Sequence, residues 1–472
     1  MTNKQLYLDG FSHLLCGSAS RSRCTSLENA SATPSGLARL AGRFFPKKLL
    51  CPPVVKNARG KLIKPRKRLF PLPVIFWAFL AQVLSRNASC RDALAGVQAL
   101  RAARRQDPPA DDTGGYCKAR QRLPLTLLRN IFNAVGEWID RRCDGQLPLL
   151  NNRVVRVIDG TGASMPDTLE NRAKWPYAGN QKKGCGFPTI KLAGLFCLRT
   201  GRMIKFAFAG WKQSELALAR QLVGWVKKGE VLLADSGFCG WGLIALFKRK
   251  GVDVVMRLHH RRKGKAGRHT WKKPRRPAAW GKTLWRELPD ELAMRIICFE
   301  VNIKGWRTKR ISLCTTLLDA ELYPDEALIE LYLRRWAIEL FYRDIKVTLG
   351  LDVVRCKTPA MVEKEIWMQA IAHNLVRALM LEAAMTHAAP LERLSFKGTV
   401  SRMRQWAWSM NQNAQRATRR MVDELLDAIA GDLVPLRPWR AEPRAVKRRP
   451  KPYQLLTKPR HKMVVSKSRR KK

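Results

Sequence analysis

From Arg153 to Leu258 the chain alternates between two hydrophobic periods, and the order of that alternation limits the available folds more than any other feature. VVRVIDG reads as a short buried strand, and FPTIKLAGLFCL and RMIKFAFAG read as two more, joined at Arg199-Thr200-Gly201. Ser214 stands where a helix cap is needed, ahead of SELALARQLVGWVKK. VLLADSG is then a fourth strand, WGLIALFKRKG a second helix stopped by Gly251, and VDVVMRL a fifth strand. The order is therefore βββαβαβ.

Three consecutive strands followed by alternating helix and strand is the order of the ribonuclease H-like fold, a mixed sheet with helices on both faces. The order is an argument about architecture and fixes no chemistry. After Leu258 the pattern breaks into a basic, tryptophan-rich stretch and a hairpin, MRIICFEVNI-KGW-RTKRISLCTTL, before Pro324 and Asp325 open a helix running to about Leu349. The fold class is thus mixed α/β: a ribonuclease H-like core at 151–260 and 322–390, interrupted by a β-rich insertion at 261–321. An irregular arm at 1–60 and a helical region at 61–150 precede it. A helical part at 391–435 and a basic tail at 436–472, of disordered composition when free, follow it.

The sign of the charge narrows the partners. Lys and Arg number 89 against 37 Asp and Glu, a net +52 over 472 residues. A compact particle with this imbalance calls for a polyanion, and nucleic acid supplies one through sequence-independent phosphate contacts. Short helices with Lys and Arg on their outer faces make 61–150 a DNA-binding candidate. The longest apolar run, Phe70 to Leu84, is too short to span a bilayer and contains prolines, so it is expected in a core. The start MTNKQLYLDG lacks the pattern of an export signal, which points to the cytoplasm, associated with the nucleoid. The 12 cysteines are scattered with no CxxC pair, the pattern of reduced thiols used as small hydrophobes rather than of a zinc site.

Asp159 closes the strand VVRVI and Asp235 closes VLLA. Carboxyl ends of strands in α/β sheets border ligand crevices, and each Asp is followed by small residues that leave room for approach. On the helix from Pro324, at about 100° per residue, Tyr332, Arg335, Glu339 and Lys346 share a stripe about 60° wide. Ala337, Ile338, Phe341, Ile345 and Leu349 fall on the other side, so the stripe is expected to face away from the core.

YLRRWAIELFYRDIK resembles the Y-x2-R-x3-E-x6-K signature of a large family of bacterial insertion-sequence DDE transposases, and DGTGASMPDT and LLADSGFCG are similar to that family's two Asp segments. The resemblance implies an acidic triad of Asp159, Asp235 and Glu339 holding two Mg²⁺ ions, with Mn²⁺ able to substitute. Hard oxygen ligands suit such ions, which in two-metal sites stand about 3.5 to 4 Å apart and act on the attacking and leaving oxygens. It implies phosphate contacts for Tyr332, Arg335 and Lys346, and DNA contact for Arg257. Trp306, beside Lys304-Gly305, is the candidate for stacking a flipped base. The implied partners are double-stranded DNA, as terminal inverted repeats and target, and a second copy of the chain in a synaptic complex, with no membrane. The implied reaction is cleavage at the element's ends and joining of the 3′-hydroxyls to target DNA. Rivals are a resolvase-like metal nuclease of the same fold and an inactive DNA-binding derivative.

Asp167, Asp253 and Asp344 are expected to be structural, and His373 to be a core residue. His259 and His260 border the basic insertion and are expected to face DNA or solvent. Ser236 lacks the GxSxG elbow of a serine hydrolase.

Overall fold

The computed structural model describes residues 36–436 except 52–54, 57–61, 64–67, 86–87, 103, 144–147, 179–183, 260–261, 263, 301–309 and 411–414, together with 458, 459, 462 and 463 of the tail. Trp306 and His260, and nearly all of the basic tail, lie outside the described residues.

The N-terminal part is helical: α1 (Gly36–Ala41), a small hairpin of β1 (Val55–Lys56) and β2 (Leu62–Ile63), then α2 (Leu72–Leu84), α3 (Cys90–Ala102), α4 (Gly114–Gln121) and α5 (Leu125–Arg142). α2 is the apolar run of the sequence, entered through Pro71 and buried at Ile75, Phe76, Phe79, Leu80 and Leu84. α5 buries Leu128, Ile131, Phe132, Val135 and Ile139, the spacing of a single helical face.

The central sheet follows. β3 (Pro148–Leu150) pairs with β4 (Arg153–Ser164), and α6 (Leu169–Lys174), β5 (Thr189–Cys197), β6 (Met203–Gly210), α7 (Glu215–Leu222), β7 (Val231–Ala234), α8 (Trp241–Arg249) and β8 (Asp253–Arg257) follow. Apart from β3 and α6, which the pattern did not announce, and the greater length of β4, this is the anticipated order. The Ser214 hydroxyl accepts the Ala217 N–H and caps α7. β9 (Gly267–Lys272), α9 (Lys282–Arg286), β10 (Glu291–Glu300) and β11 (Arg310–Thr315) come from the 261–321 stretch. The strands lie in the order β6-β5-β4-β7-β8-β11-β10-β9, with β4-β7 and β7-β8 parallel and β5 antiparallel to both of its neighbours. The first five are the ribonuclease H-like arrangement. β11 pairs antiparallel with β8, so the inserted strands extend the same sheet.

The two sheet faces bury separate apolar clusters. Ile158, Ala193, Leu195, Leu232, Ala234 and Val254 meet α7 and α8 on one face. Val155, Val157, Leu192, Phe196, Leu233 and Val255 belong to a larger cluster on the other face, which takes in the N-terminal helices and α10 (Asp325–Leu333), α11 (Ala337–Arg343), α12 (Pro359–Thr386), α13 (Phe396–Met410) and α14 (Gln415–Ala430). α12 is buried on all sides through most of its length. His373 within it is fully buried and donates Nε2–H to the Gly201 carbonyl at 2.8 Å. Gly201, at φ +69, turns β5 into β6 where a Cβ would meet Phe341 at 2.8 Å and Arg377 at 3.0 Å. Only glycine tolerates both constraints.

The helix expected from Pro324 to Leu349 is not one regular helix. A 3-10 turn, Arg334–Trp336, separates α10 from α11, and a π turn, Asp344–Thr348, ends α11. This overturns the uniform wheel and its solvent-facing stripe. Tyr332 and Arg335 are 2% and 8% exposed, because the tightened turn sets them against the sheet, whereas Glu339 is exposed. Ile338, Phe341, Ile345 and Leu349 are buried.

Candidate active site

The parallel register of the central strands assembles the site. Val155 pairs with Val231 and Val157 with Leu233. Asp159 does not close its strand as expected, because pairing with β5 carries β4 on to Ser164. Continuing the β4–β7 register just past the end of β7 sets Asp159, midway along β4, level with Asp235, on neighbouring segments about 4.8 Å apart. β7 and β8 pair Leu233 with Val255 and Ala234 with Met256, so the next step sets Arg257 level with Asp235. On the other side Asp159 pairs with Gly194. Alternation puts this row on the face of Val155, Val157, Leu233 and Val255, toward α10 and α11.

Tyr342 of α11 is buried and donates its hydroxyl to the Asp159 main-chain carbonyl at 2.6 Å. Gly194 permits this approach, since a Cβ there would lie 2.8 Å from the Tyr342 hydroxyl. Tyr342 therefore ties the helix bearing Glu339 to the strand bearing Asp159. The Arg335 guanidinium lies 5.4 Å from the Tyr332 ring centroid and 5.9 Å from that of Trp336. Arg335 Nε is buried and unpaired, and the buried Tyr332 hydroxyl has no well-aligned partner. Both side chains sense the carboxylate row electrostatically, Arg335 through Asp159 and Tyr332 through Asp235, and Arg257 acts on Tyr332.

Burial pushes the Asp159 carboxyl up to about 6, against the Gly160 N–H that favours its ionised form. The Asp235 charge adds to the rise, Arg335 opposes it, and Glu215 adds again. Each Asp commits one oxygen to a backbone donor, Asp159 Oδ1 to Gly160 N–H at 2.7 Å and Asp235 Oδ1 to Gly237 N–H at 2.8 Å. Two hard, like-charged oxygen donors level on adjacent strands, one held back from ionising by desolvation, fit a divalent cation that would neutralise both. Among the described residues, no group of three His, Cys, Asp or Glu side chains stands close enough to hold a metal ion. The row thus brings together Asp159, Asp235 and Arg257 with Tyr332 and Arg335 above them. Glu339 lies exposed on α11, and Lys346 is half-buried in the π turn.

The competing carboxylates have structural partners. Asp167 accepts from Tyr177 and pairs with Arg172. Asp253 takes Arg153, Lys248 and Thr316, and Asp344 pairs with Arg377 at 2.7 Å. Two neighbours escaped the sequence reading. Glu215, one residue past the α7 cap, sets its carboxylate within 3 Å of where a Gly160 Cβ would sit. Gly160, directly after Asp159, was the available signal for Glu215. Tyr342 continues an apolar helical arc and so reads as core.

A model of the transposase DDE domain matches residues 151–375. Over 408 residues the chain is 30% identical to the transposase InsG for insertion sequence element IS4 of Escherichia coli (strain K12), covering 82% of this chain and 88% of that one. The chain belongs to the IS4 family of DDE transposases. This transposase is also similar to the piggyBac transposase solved by cryo-EM in a synaptic complex with hairpin DNA, at 10% identity, a TM-score of 0.41 and 82% coverage of each chain. No helix among the described residues of the transposase is long and apolar enough to cross a membrane.

Proposed function

We propose that this DNA transposase cleaves the ends of its own insertion element and joins the freed 3′-hydroxyls to target DNA, with Asp159, Asp235 and Glu339 as the catalytic carboxylates and ligands of two Mg²⁺ ions, which Mn²⁺ can replace. The reading rests on one observation above all, the level placement of Asp159 and Asp235 on neighbouring parallel strands, where β7 ends, beneath a buried arginine whose Nε has no hydrogen-bond partner. The ions, when bound, supply neutralisation of the phosphate charge and activation of the attacking oxygen. The chain's own groups orient the DNA. Arg335 offers the scissile region a fork of N–H donors, Tyr332 a hydroxyl, and Arg257 and Lys346 positive charge. Burial of Tyr332 and Arg335 supports this role, because a guanidinium held out of water binds phosphate more strongly than one at the surface. Trp306 keeps its proposed stacking role. Both element ends must be held together, which a dimer on DNA provides, and the protein works in the nucleoid-associated cytoplasm.

The test is a labelled duplex carrying the terminal inverted repeats, incubated with Mg²⁺. Asp235→Ala removes a ligand but leaves the fold, so cleavage disappears while binding to the end persists. Retained cleavage by Asp235→Ala sinks the assignment. Cutting of branched DNA without joining favours a resolvase-like nuclease, and a mobility shift without cutting favours an inactive binder.

A further inference from the structure

The described cysteines are all free thiols, and two of them touch beside the proposed active site. Cys239 Sγ lies 3.3 Å from Cys314 Sγ, with both residues buried. Cys239 belongs to the turn that carries Asp235. Gly237 N–H donates to Asp235 Oδ1, Phe238 N–H to the Asp235 carbonyl, and Cys239 N–H to the Ser236 carbonyl. Cys314 sits inside the sheet on β11, between Met256 of β8 and Ile296 of β10. One sulfur is therefore on a short turn and the other on a strand paired on both sides.

The geometry points to a disulfide-forming modification site at Cys239 and Cys314, oxidised by a peroxide, that disables the active site by moving the Asp235 turn. A disulfide needs its sulfurs at about 2.05 Å, so closure requires about 1.3 Å of movement. The paired strand resists displacement, and the turn supplies the motion. A cavity of about 260 Å³ lined by Leu258, Arg262, His269, Trp271 and Ile296 adjoins the apolar cluster that contains both cysteines. Arg262, stacked 4.4 Å from the Trp271 ring centroid, places positive charge where it acts on both sulfurs. The contact itself also polarises the pair. The hydrogen bond with Cys314 draws the Cys239 thiol below its usual range against the effect of burial, while Cys314 is held above its own. Cys239, on the turn and slightly exposed where Cys314 is fully buried, is thus the sulfur a peroxide meets first.

The chemistry balances. The Cys239 thiolate attacks one peroxide oxygen, breaking the O–O bond and giving a sulfenic acid, and the other oxygen leaves as water or an alcohol. Cys314 sulfur then attacks the sulfenic sulfur, its proton departs with the hydroxyl as water, and the S–S bond forms. Two thiols lose two electrons and the peroxide gains them. A displacement near 1 Å at a reacting centre costs about 100-fold in rate.

The experiment treats the full chain with hydrogen peroxide, blocks remaining thiols with iodoacetamide, and reads peptides by mass spectrometry alongside cleavage of an element-end duplex before and after dithiothreitol. The expected result is a linked peptide pair containing Cys239 and Cys314, with cleavage about 100-fold lower and restored by dithiothreitol. Cys314→Ser gives neither the link nor reversible inactivation. If that variant does not fold, Cys239→Ser, altered on the turn, takes its place. Absence of the linked pair at peroxide levels that oxidise exposed Cys51 overturns the proposal, as does equal inactivation of the serine variant. The activity arm rests on the role proposed for Asp235, whereas the linkage arm does not, so a link that forms without loss of cleavage counts against the inactivation and leaves the site standing.

Discussion

Replacing Asp159 by Asn should stabilise the metal-free transposase while abolishing its chemistry. Burial, together with the Asp235 charge, lifts the Asp159 carboxyl from 3.8 to about 6. Carrying that charge in the folded state at pH 8 therefore costs up to about 3 kcal/mol, at about 1.36 kcal/mol per pH unit of displacement. The sign follows from linkage. A carboxyl raised on folding favours the folded state below its unfolded value near 4, and that contribution is lost as pH rises through about 6. Asn carries no charge at any pH, so the gain in Asp159→Asn appears above pH 6 and vanishes near pH 4. Urea denaturation in EDTA at both pH values measures it, and adding Mg²⁺ at pH 8 should stabilise wild type but not the variant. No gain at pH 8, or an equal gain at pH 4, would refute the desolvation argument.

Two further outcomes follow. His373 is buried against Phe196 and Phe396, and burial, reinforced by the Arg377 charge, pushes it down to about 3, so it contributes up to about 5 kcal/mol above pH 6.5 that is lost as pH falls toward 3. His373→Gln should flatten that acid limb in a pH series of denaturation midpoints, and an unchanged profile would count against it. Nonspecific affinity for duplex DNA should fall steeply between 50 and 200 mM salt, by about 1000-fold or more if six or more phosphates are contacted. A shallow slope in a filter-binding titration would mean that the +52 charge is not used on DNA.

The core strands were legible because each carries a buried apolar run, although the first runs on to Ser164, well past its apolar part. Asp235 was legible as a candidate because it follows an otherwise apolar strand, Val231 to Ala234, whereas Asp159 lies inside a strand that runs on to Ser164. What could not be read is non-local. Nothing in the segment Arg334–Trp336 announces a 3-10 turn, yet that turn decides that Tyr332 and Arg335 are buried and Glu339 is exposed. The joining of β11 to β8 depends on a register across residues far apart in the chain. Glu215 reaches the site through the absence of a side chain at Gly160, which alternation patterns do not register.

The central claim is that the Asp159–Asp235 row grips divalent ions, and counting bound Mn²⁺ by electron paramagnetic resonance on the transposase held on its element-end DNA tests it most directly. The account predicts two ions per site in wild type and a loss of occupancy in Asp159→Asn. The same ion count and affinity in both proteins would contradict it.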